Sequence, residues 1–279
     1  MLVNGKDILK IAEVKKNAIF QFNINNLEWT KWILEKCNEL NTSVILGVSE
    51  SAIYYMGGYN VVSSLVENLI KNLNISIDVC LHLDHAKSYE SCKKAIDSGF
   101  TSVMIDLSKE SFEENILGTK QVVLYAKSKN VSVEAELGLM GSINNNQVEL
   151  GNTTNVADCL KFVKETEIDM LAPAVGTVHG LYEGELNIDY ELIRELSKEI
   201  DIPLVLHGGS GLSNEILKKC VENGITKINV NSDLQHVWSV GVKEFINKNE
   251  LVIDPRKIIS SGEMLFKQEI EKKININKQ

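Results

Sequence analysis

The chain of 279 residues is 44% hydrophobic and 24% charged, a balance that is typical of a globular protein with a sizeable core. Its formal net charge of −9 argues against a nucleic-acid partner, because neutralising phosphates requires a basic surface. No apolar stretch approaches the roughly 20 residues of a membrane span, and the polar N-terminus lacks a signal-peptide core. The five cysteines show no Cys-x-x-Cys spacing, which predicts free thiols in a cytoplasmic protein without a membrane partner.

Short apolar segments alternate with amphipathic helical segments along the whole chain. The predicted strands are residues 18–24, 43–49, 76–84, 102–108, 131–137, 170–176, 203–209 and 227–233. Between them lie helical patterns such as residues 27–40, 89–99, 157–167 and 213–224, two of which end at a glycine. Eight strands that alternate with helices predict a parallel sheet, and eight is the number that closes a (β/α)8 TIM barrel. A doubly wound open sheet is the alternative.

The domain organisation follows from the absence of any linker composition. No Pro/Ser-rich or low-complexity segment interrupts the alternation, which predicts one domain over residues 1–279. Residues 254–279 are predicted to add a helix with a frayed, Asn/Lys-rich end. The fold class that we expect is therefore α/β, a single (β/α)8 barrel with additional terminal helices.

Polar residues are concentrated where the predicted strands end, which is the active-site end of such barrels. Four of the five histidines lie there, and the fifth, His236, follows in a helix as a surface or packing residue. The polar residues at the strand ends are Asn23, Ser49, His82, Asp84, His85, Asp106, Glu134, Glu136, His179, His207, Asn229 and Asn231.

Three of these histidines follow three different strands: His85, His179 and His207. Three converging imidazoles suit a zinc site with one coordination position left open, whereas a closed structural site usually contains cysteines. The alternative is that each histidine merely hydrogen-bonds within a polar barrel mouth. Three histidines at equivalent strand ends, beside an aspartate, favour the metal site.

Glycine-rich segments after the last two strands indicate a phosphate site. The segments HGGSG (residues 207–211) and INVNS (228–232) occupy the position where many barrels bind phosphate. Gly208 and Gly209 allow backbone N–H groups to approach an anion, and Ser210 and Ser232 add hydroxyl donors. A metal, an acid and a phosphate site together predict a small phosphorylated substrate.

The ordered motifs of the chain resemble those of the class II, zinc-dependent fructose-bisphosphate and tagatose-bisphosphate aldolases. The motifs that carry the resemblance are FNINNLEWT, VILGVSES, YYMGGY, HLDHAKS, SVMIDLS, VEAELG, LAPAVGTVHGLY, LHGGSG, KINVNSD and DPRK. The resemblance covers nearly the whole chain. It implies a (β/α)8 barrel that reversibly cleaves a ketose 1,6-bisphosphate to dihydroxyacetone phosphate and glyceraldehyde 3-phosphate. Fructose 1,6-bisphosphate is the expected substrate, with tagatose 1,6-bisphosphate next.

The resemblance also implies roles for individual residues and a homodimeric or homotetrameric assembly. The zinc ligands fall on His85, His179 and His207, with Glu134 lining the metal pocket, and the general acid/base falls on Asp84. Asp106 matches a carboxylate that supports activity, and the glycines of the cleft match a site for Na⁺ or K⁺. Arg256 matches an arginine that reaches the distal phosphate in a neighbouring subunit. The expected substrate contacts are Gly180, Gly208, Gly209, Ser210, Asn229, Val230, Asn231 and Ser232, with Asn23 and Ser49 nearby.

The cluster at the end of the third strand fits this chemistry. Strand alternation points neighbouring side chains in different directions, so His85 can bind the metal while Asp84 faces the substrate. His82 shares the face of Asp84, and two interpretations stay open, namely that it orients Asp84 or that it fills space.

The sequence departs from the family after VEAELG. Relatives usually continue with Gly-Gly and an acidic run whose glutamate exchanges the proton of the three-carbon fragment, whereas residues 139–146 read LMGSINNN. Amide side chains do not accept protons at neutral pH, and Glu149 is the nearest acid. We expect residues 139–147 to form a mobile surface loop without packing anchors, and Asn144 to leave proton exchange slow.

Other functions stay open at this point. An aldolase of a phosphorylated deoxy-keto acid and a catalytically silent barrel that binds metal and sugar phosphate are the main alternatives. A metal-dependent hydrolase is disfavoured, because no histidine precedes residue 82. A Schiff-base aldolase is disfavoured because Lys227 is expected to begin the eighth strand rather than to end it.

Overall fold

The computed structural model describes residues 1–144, 147–149, 151–180 and 186–278, with the backbone alone for 142–144, 147–149 and 278. Eight parallel strands close into a barrel in the order β1-β10-β9-β8-β5-β4-β3-β2. They are β1 (Ile19–Asn23), β2 (Val44–Ser49), β3 (Val79–Ala86), β4 (Ser102–Ile105), β5 (Ser132–Leu137), β8 (Met170–Pro173), β9 (Leu204–Leu206) and β10 (Ile225–Val230). The predicted (β/α)8 barrel is thus confirmed, and the open-sheet alternative is wrong.

Helices surround the barrel and cover its outer face. They are α1 (Gly5–Lys15), α2 (Leu27–Glu39), α3 (Glu50–Tyr55), α4 (Tyr59–Asn72), α5 (Tyr89–Asp97), α6 (Phe112–Lys127), α7 (Val156–Thr166), α8 (Tyr190–Glu199), α9 (Asn214–Glu222), α10 (Ser232–Lys248), α11 (Pro255–Ser260) and α12 (Glu263–Ile274), followed by a 3₁₀ turn at Asn275–Lys278. Most begin at a Ser, Asn or Asp whose side chain accepts a hydrogen bond from the first turn, as Ser111 does with Glu114. None of the helices in the described ranges is long and apolar enough to cross a membrane.

The N-terminal helix α1 closes the end of the barrel where the strands begin. Ile8 and Leu9 are buried in a cluster with interior residues of the strands, which are Ile45, Cys80, Met170, Ala172 and Val205. Gly5 N–H donates to the hydroxyl of Ser132, the first residue of β5, at 3.1 Å. One end of the barrel is therefore filled by apolar side chains, which leaves the opposite end for a polar site.

Interior side chains become polar toward the C-terminal ends of the strands. Along β3, Cys80, His82 and Asp84 alternate with outward-facing leucines, and all are buried. Along β5, the interior positions carry Glu134 and Glu136, also buried. A charged interior at this depth requires partners within the barrel, since unpaired buried charges are strongly unfavourable.

Several element boundaries differ from those that the sequence predicts. Strand β10 starts at Ile225, so Lys227 lies inside the strand rather than at its beginning. The C-terminal segment forms two helices rather than one, and its end is anchored rather than frayed. The Asn277 side chain accepts from Ala18 N–H at 3.1 Å and donates to Ala18 O at 2.8 Å. A contact across 259 positions is invisible to local composition.

The asparagine-rich segment also differs from its prediction. The backbone of β6 (Ser142–Asn144) pairs antiparallel with that of β7 (Gln147–Glu149), with Ile143 opposite Val148. The preceding Gly141 is anchored, since its N–H donates to Thr177 O at 3.3 Å. The prediction of a loop without anchors is therefore wrong. Asn145 and Asn146, which the sequence analysis places in this loop, lie outside the described residues.

Candidate active site

A cavity of about 430 Å³ lies at the C-terminal ends of the barrel strands. Most of the site residues expected from the sequence line it. They are Asn23, Ser49, Asp84, His85, His179, Gly180, Gly208, Ser210, Asn229, Val230, Asn231 and Ser232. Of the other expected residues, His207 is buried against this lining, while Glu134 and Gly209 do not line the cavity. Arg256 is exposed, pairs with Asp254 and lies outside the cavity.

The three predicted metal-binding histidines come together at the cavity. Ring centroids are 5.1 Å apart for His85 and His179, 4.7 Å for His85 and His207, and 5.8 Å for His179 and His207. One ring nitrogen of each lies within 4.8 Å of the others, which suits simultaneous binding of one ion. We call this group the three-histidine set.

His85 reaches this set through an irregularity of β3. Regular alternation would turn His85 away from the interior face that His82 and Asp84 share. Instead, the pairing of β3 with β4 shifts register between Leu83 and Ala86, and His85 adopts a left-handed backbone with φ of +53°. Such a conformation is uncommon for a residue other than glycine and is often retained at functional sites. His85 therefore faces the site because of a bulge in β3, and not through the regular strand alternation that the sequence predicts.

Carboxylates hold the second ring nitrogens of two of the histidines. His85 Nδ1 lies 2.8 Å from Asp106 Oδ2, and His207 Nε2 lies 2.9 Å from Glu134 Oε1. On His85 this contact fixes the tautomer and leaves Nε2 for a metal, as in many metal sites. The geometry of these residues therefore fits a divalent ion.

His207 is the buried member of the three-histidine set. Its Nδ1 lies 3.1 Å from Glu136 Oε2, so that both ring nitrogens face carboxylates. Burial alone would lower the pKa of His207, but the hydrogen bonds with Glu134 and Glu136 raise it to about 9.

The loop after His207 packs closely, because a Cβ on Gly208, whose φ is +68°, would lie 2.3 Å from Val178 O. Glycine is thus required here.

His179 is carried by the loop after β8, and the segment after β5 holds that loop. The His179 N–H donates to Gly141 O at 3.1 Å, and the Gly141 N–H donates to Thr177 O. Desolvation in the cavity and the nearby His207 and His85 lower the pKa of His179 to about 4. His179 is therefore neutral at pH 7, which is the form that binds metals.

A second group of donor atoms shares His85. His85, Asp106 and Glu136 also bring one ligand atom each within 4.8 Å of the others, and we call them the carboxylate set. Glu134, which we expected to line the metal pocket, belongs to neither set. Its Oε2 accepts from Lys227 Nζ at 2.5 Å, and both residues are fully buried. The structure thus places Glu136 in a candidate donor set and Glu134 one interior layer deeper.

Asp84 is held by amide groups on both of its oxygens. Gln21 Nε2 donates to Oδ1 at 3.0 Å and Asn23 Nδ2 donates to Oδ2 at 2.8 Å. Burial alone would raise the pKa of Asp84, but His85, His82 and the Asn23 hydrogen bond keep it below its ordinary value. Asp84 is therefore an ionised carboxylate, beside the histidines but outside both donor sets.

Two further residues near Asp84 are Gly47 and His82. A Cβ on Gly47 would lie 2.4 Å from Gln21 Nε2, so this glycine makes room for the amide that orients Asp84. His82 Nδ1 lies 2.8 Å from Ser102 Oγ, and no hydrogen bond joins His82 to Asp84 in the described parts of the chain. Burial lowers the pKa of His82 to about 3, so it is a neutral packing residue.

The predicted phosphate site lies where the loops after β9 and β10 meet. Ser210 Oγ accepts from the N–H groups of Asn231 and Asp233 at 3.1 and 3.4 Å, which ties the two loops together. Helix α10, which has 17 residues, begins there, and no side chain caps its N-terminus with a hydrogen bond. Buried Oδ1 atoms of Asn229 and Asn231 have no partner among the described residues. A helix N-terminus beside uncommitted polar atoms favours an anionic, hydroxylated ligand.

Sequence reasoning missed several residues that contact the site or line its cavity. Gln21 was detectable, because it shares a strand face with Asn23 two positions later. Lys87, Ser108 and Lys109 line the cavity mouth, and Lys87 donates to Asp106. No local pattern signals that contact, since it depends on the bulge in β3.

The fold and the site define a barrel enzyme whose donor atoms fit a metal ion beside a buried, ionised carboxylate. The family described as fructose-bisphosphate aldolase class-II matches residues 3–279. A Geobacillus stearothermophilus protein named fructose-bisphosphate aldolase is 47% identical over 262 residues, 94% of this chain and 91% of that protein. A Staphylococcus aureus protein of the same name is 45% identical over 274 residues, 98% and 96% of the respective chains.

A solved structure of an aldolase has a similar fold. The crystal structure of the YdjI aldolase from Escherichia coli K12 matches with a TM-score of 0.87 at 28% identity, covering 99% of this chain and 97% of that one. The chain therefore belongs to the class-II fructose-bisphosphate aldolase family, which is metal-dependent, and the resemblance found in the motifs is confirmed.

Proposed function

We propose that the protein is a zinc-dependent aldolase that reversibly cleaves a ketose 1,6-bisphosphate to dihydroxyacetone phosphate and glyceraldehyde 3-phosphate. Fructose 1,6-bisphosphate is the first candidate substrate, since the similar bacterial proteins are named for it. Tagatose 1,6-bisphosphate is the second. The observation that carries the proposal is the ionised Asp84 next to the three-histidine set, at the wall of one cavity.

His85, His179 and His207 would hold the zinc ion, which would supply a Lewis acid for the negative charge that cleavage leaves on the three-carbon ketose fragment. Asp84 removes the proton of the C4 hydroxyl during cleavage and returns it during condensation. Its ionised state at neutral pH and its fixed orientation by Gln21 and Asn23 allow it to accept this proton.

The phosphate of the three-carbon fragment is proposed to lie against the loops after β9 and β10. The helix N-terminus at Ser232 attracts the dianion, and Ser210 holds the two loops in register. Asn229 and Asn231 accept hydrogen bonds from substrate hydroxyl groups through their uncommitted Oδ1 atoms. Gly180 and Val230 complete the wall, and Asn23 and Ser49 face the other fragment.

Three further properties belong to the proposal. A Na⁺ or K⁺ ion is expected in the glycine-lined cleft near the phosphate. A homodimer or homotetramer would bring Arg256 of one subunit to the distal phosphate of its neighbour. The exposure of Arg256 outside the cavity of its own subunit supports this. A cytoplasmic location is consistent with five cysteines that are all free and buried.

The departure after VEAELG supports a second candidate function. If no residue replaces the missing glutamate, the protein binds metal and sugar phosphate without efficient turnover. An aldolase of a phosphorylated deoxy-keto acid is the remaining alternative, because Leu139 and Met140 give the cavity an apolar wall.

A panel of fructose 1,6-bisphosphate, tagatose 1,6-bisphosphate and a phosphorylated deoxy-keto acid separates these functions. Release of dihydroxyacetone phosphate is followed through a coupled dehydrogenase. Chelator-treated protein should lose turnover and regain it with zinc, cobalt or manganese, and borohydride should trap no lysine adduct. Full activity without metal would refute the mechanism, whereas metal and phosphate binding without turnover on any substrate would identify a silent barrel.

A further inference from the structure

Lys87 is a half-exposed lysine whose ammonium group reaches into the candidate metal site. It lies two residues after His85, beyond the bulge of β3, and it lines the cavity mouth. Its Nζ donates to Asp106 Oδ2, the same oxygen that lies 2.8 Å from His85 Nδ1. Ser108 donates to the other oxygen, Oδ1, through its hydroxyl at 2.7 Å and its backbone N–H at 3.2 Å. Both oxygens of this buried carboxylate are thus occupied.

The two donor sets are alternative positions for one ion, and both include His85. The three-histidine set is neutral when its imidazoles are free to ligate, whereas the carboxylate set carries two negative charges from Asp106 and Glu136. Coulomb attraction to a divalent cation therefore favours the carboxylate set, and zinc also binds carboxylate oxygens. Something in the protein must offset this attraction if the metal is to lie among the histidines.

The two carboxylates differ in what neutralises them. Glu136 contacts His207, which itself belongs to the three-histidine set, so this contact changes when a metal binds there. Asp106 contacts Lys87, which belongs to neither set, so this partner is not drawn into the binding of a metal at either set. Burial alone would raise the pKa of Asp106, but the hydrogen bonds from His85, Lys87 and Ser108 hold it below its ordinary value.

We propose that Lys87 is a positioning residue that directs the metal to the three-histidine set by occupying Asp106. A metal that entered the carboxylate set would displace the ammonium group from Oδ2 and would lie next to its positive charge. With Lys87 in place, Asp106 continues to orient the His85 ring and the ion stays beside Asp84. The inference rests on the proposed function only in requiring that the chain binds a divalent ion.

The test counts the imidazoles bound to zinc by X-ray absorption spectroscopy of the zinc-loaded protein. The wild type should show three imidazoles for each zinc. Lys87→Met should shift the count toward one, because the carboxylate set contains His85 as its single histidine. Lys87→Arg should keep three. Lys109→Met is the matched control, since this neighbouring lysine lines the same mouth and has no ion pair among the described residues.

A double variant separates the proposed mechanism from a general disturbance. Lys87→Met/Asp106→Asn removes the carboxylate that Lys87 occupies, and the count should return to three. An unchanged count in Lys87→Met, or an equal fall in the double variant, would overturn the inference, as would fewer than three imidazoles in the wild type. A shift as expected without cleavage of any ketose bisphosphate would leave the inference standing and refute the proposed function.

Discussion

Replacing Lys227 by methionine should destabilise the protein through the carboxylate that it leaves behind. Lys227 and Glu134 are fully buried, and Nζ lies 2.5 Å from Oε2. Methionine keeps a side chain of similar length, so the packing of the barrel interior is largely retained. Removing one partner of a buried ion pair costs about 3–5 kcal/mol, because the remaining charge stays out of water. His207 would then be the hydrogen-bond partner left to Glu134 among the described residues.

The expected change in thermal stability follows from this free energy. A chain of this size loses about 2–4 °C in Tm for each kcal/mol, so Lys227→Met should lower Tm by roughly 6–20 °C. Scanning calorimetry of the metal-free protein at pH 7 measures the change. The control Lys93→Met breaks an exposed pair with Asp97 and should leave Tm unchanged within error.

The pH dependence of the Tm difference tests whether Glu134 is the group that destabilises the variant. Burial alone would raise the pKa of Glu134, but Lys227 and His207 lower it below its ordinary value of 4.5. The pair therefore stabilises the fold above pH 4.5, and this contribution is lost as the pH falls through the folded pKa. The difference in Tm between wild type and variant should narrow below pH 4.5. Glu134→Gln in the variant background should recover most of the loss. The reasoning would be refuted if Lys227→Met lowered Tm by less than about 2 °C, or if Glu134→Gln restored none of the lost Tm.

Three further outcomes are expected. Asp84→Ala should keep its metal yet turn over about 100-fold more slowly or worse, and loss of the metal instead would show that Asp84 supports the ion. Zinc binding at pH 7 should release about one proton, because His207 has a pKa of about 9 before the metal binds. Titration calorimetry in two buffers of different ionisation enthalpy measures the number of protons released, and release of no proton would contradict the prediction. Asn144→Glu should speed proton exchange from dihydroxyacetone phosphate into water more than cleavage, and if neither changes, Glu149 is the residue to test next.

The sequence by itself determined the eight strands, their alternation with helices and the rim on which the polar residues lie. These features are local, because the period of hydrophobic residues sets the type of each element. Parallel strands then bring their C-terminal ends to one edge, so residues as distant in sequence as Asn23 and Asn229 were placed in one site without knowledge of any contact. The three histidines and Asp84 were found in the same way.

Only the tertiary structure decided how these residues are aimed and with which groups they pair. His85 turns into the site through a bulge and a left-handed backbone, which no periodic pattern encodes. Lys227 reaches Glu134 across 93 positions of the chain, and Lys87 reaches Asp106 across 19. Such partners depend on barrel closure and strand register, which depend on the whole chain. The side-chain types of the site are therefore readable from the sequence, while their orientation and charge pairing come from packing.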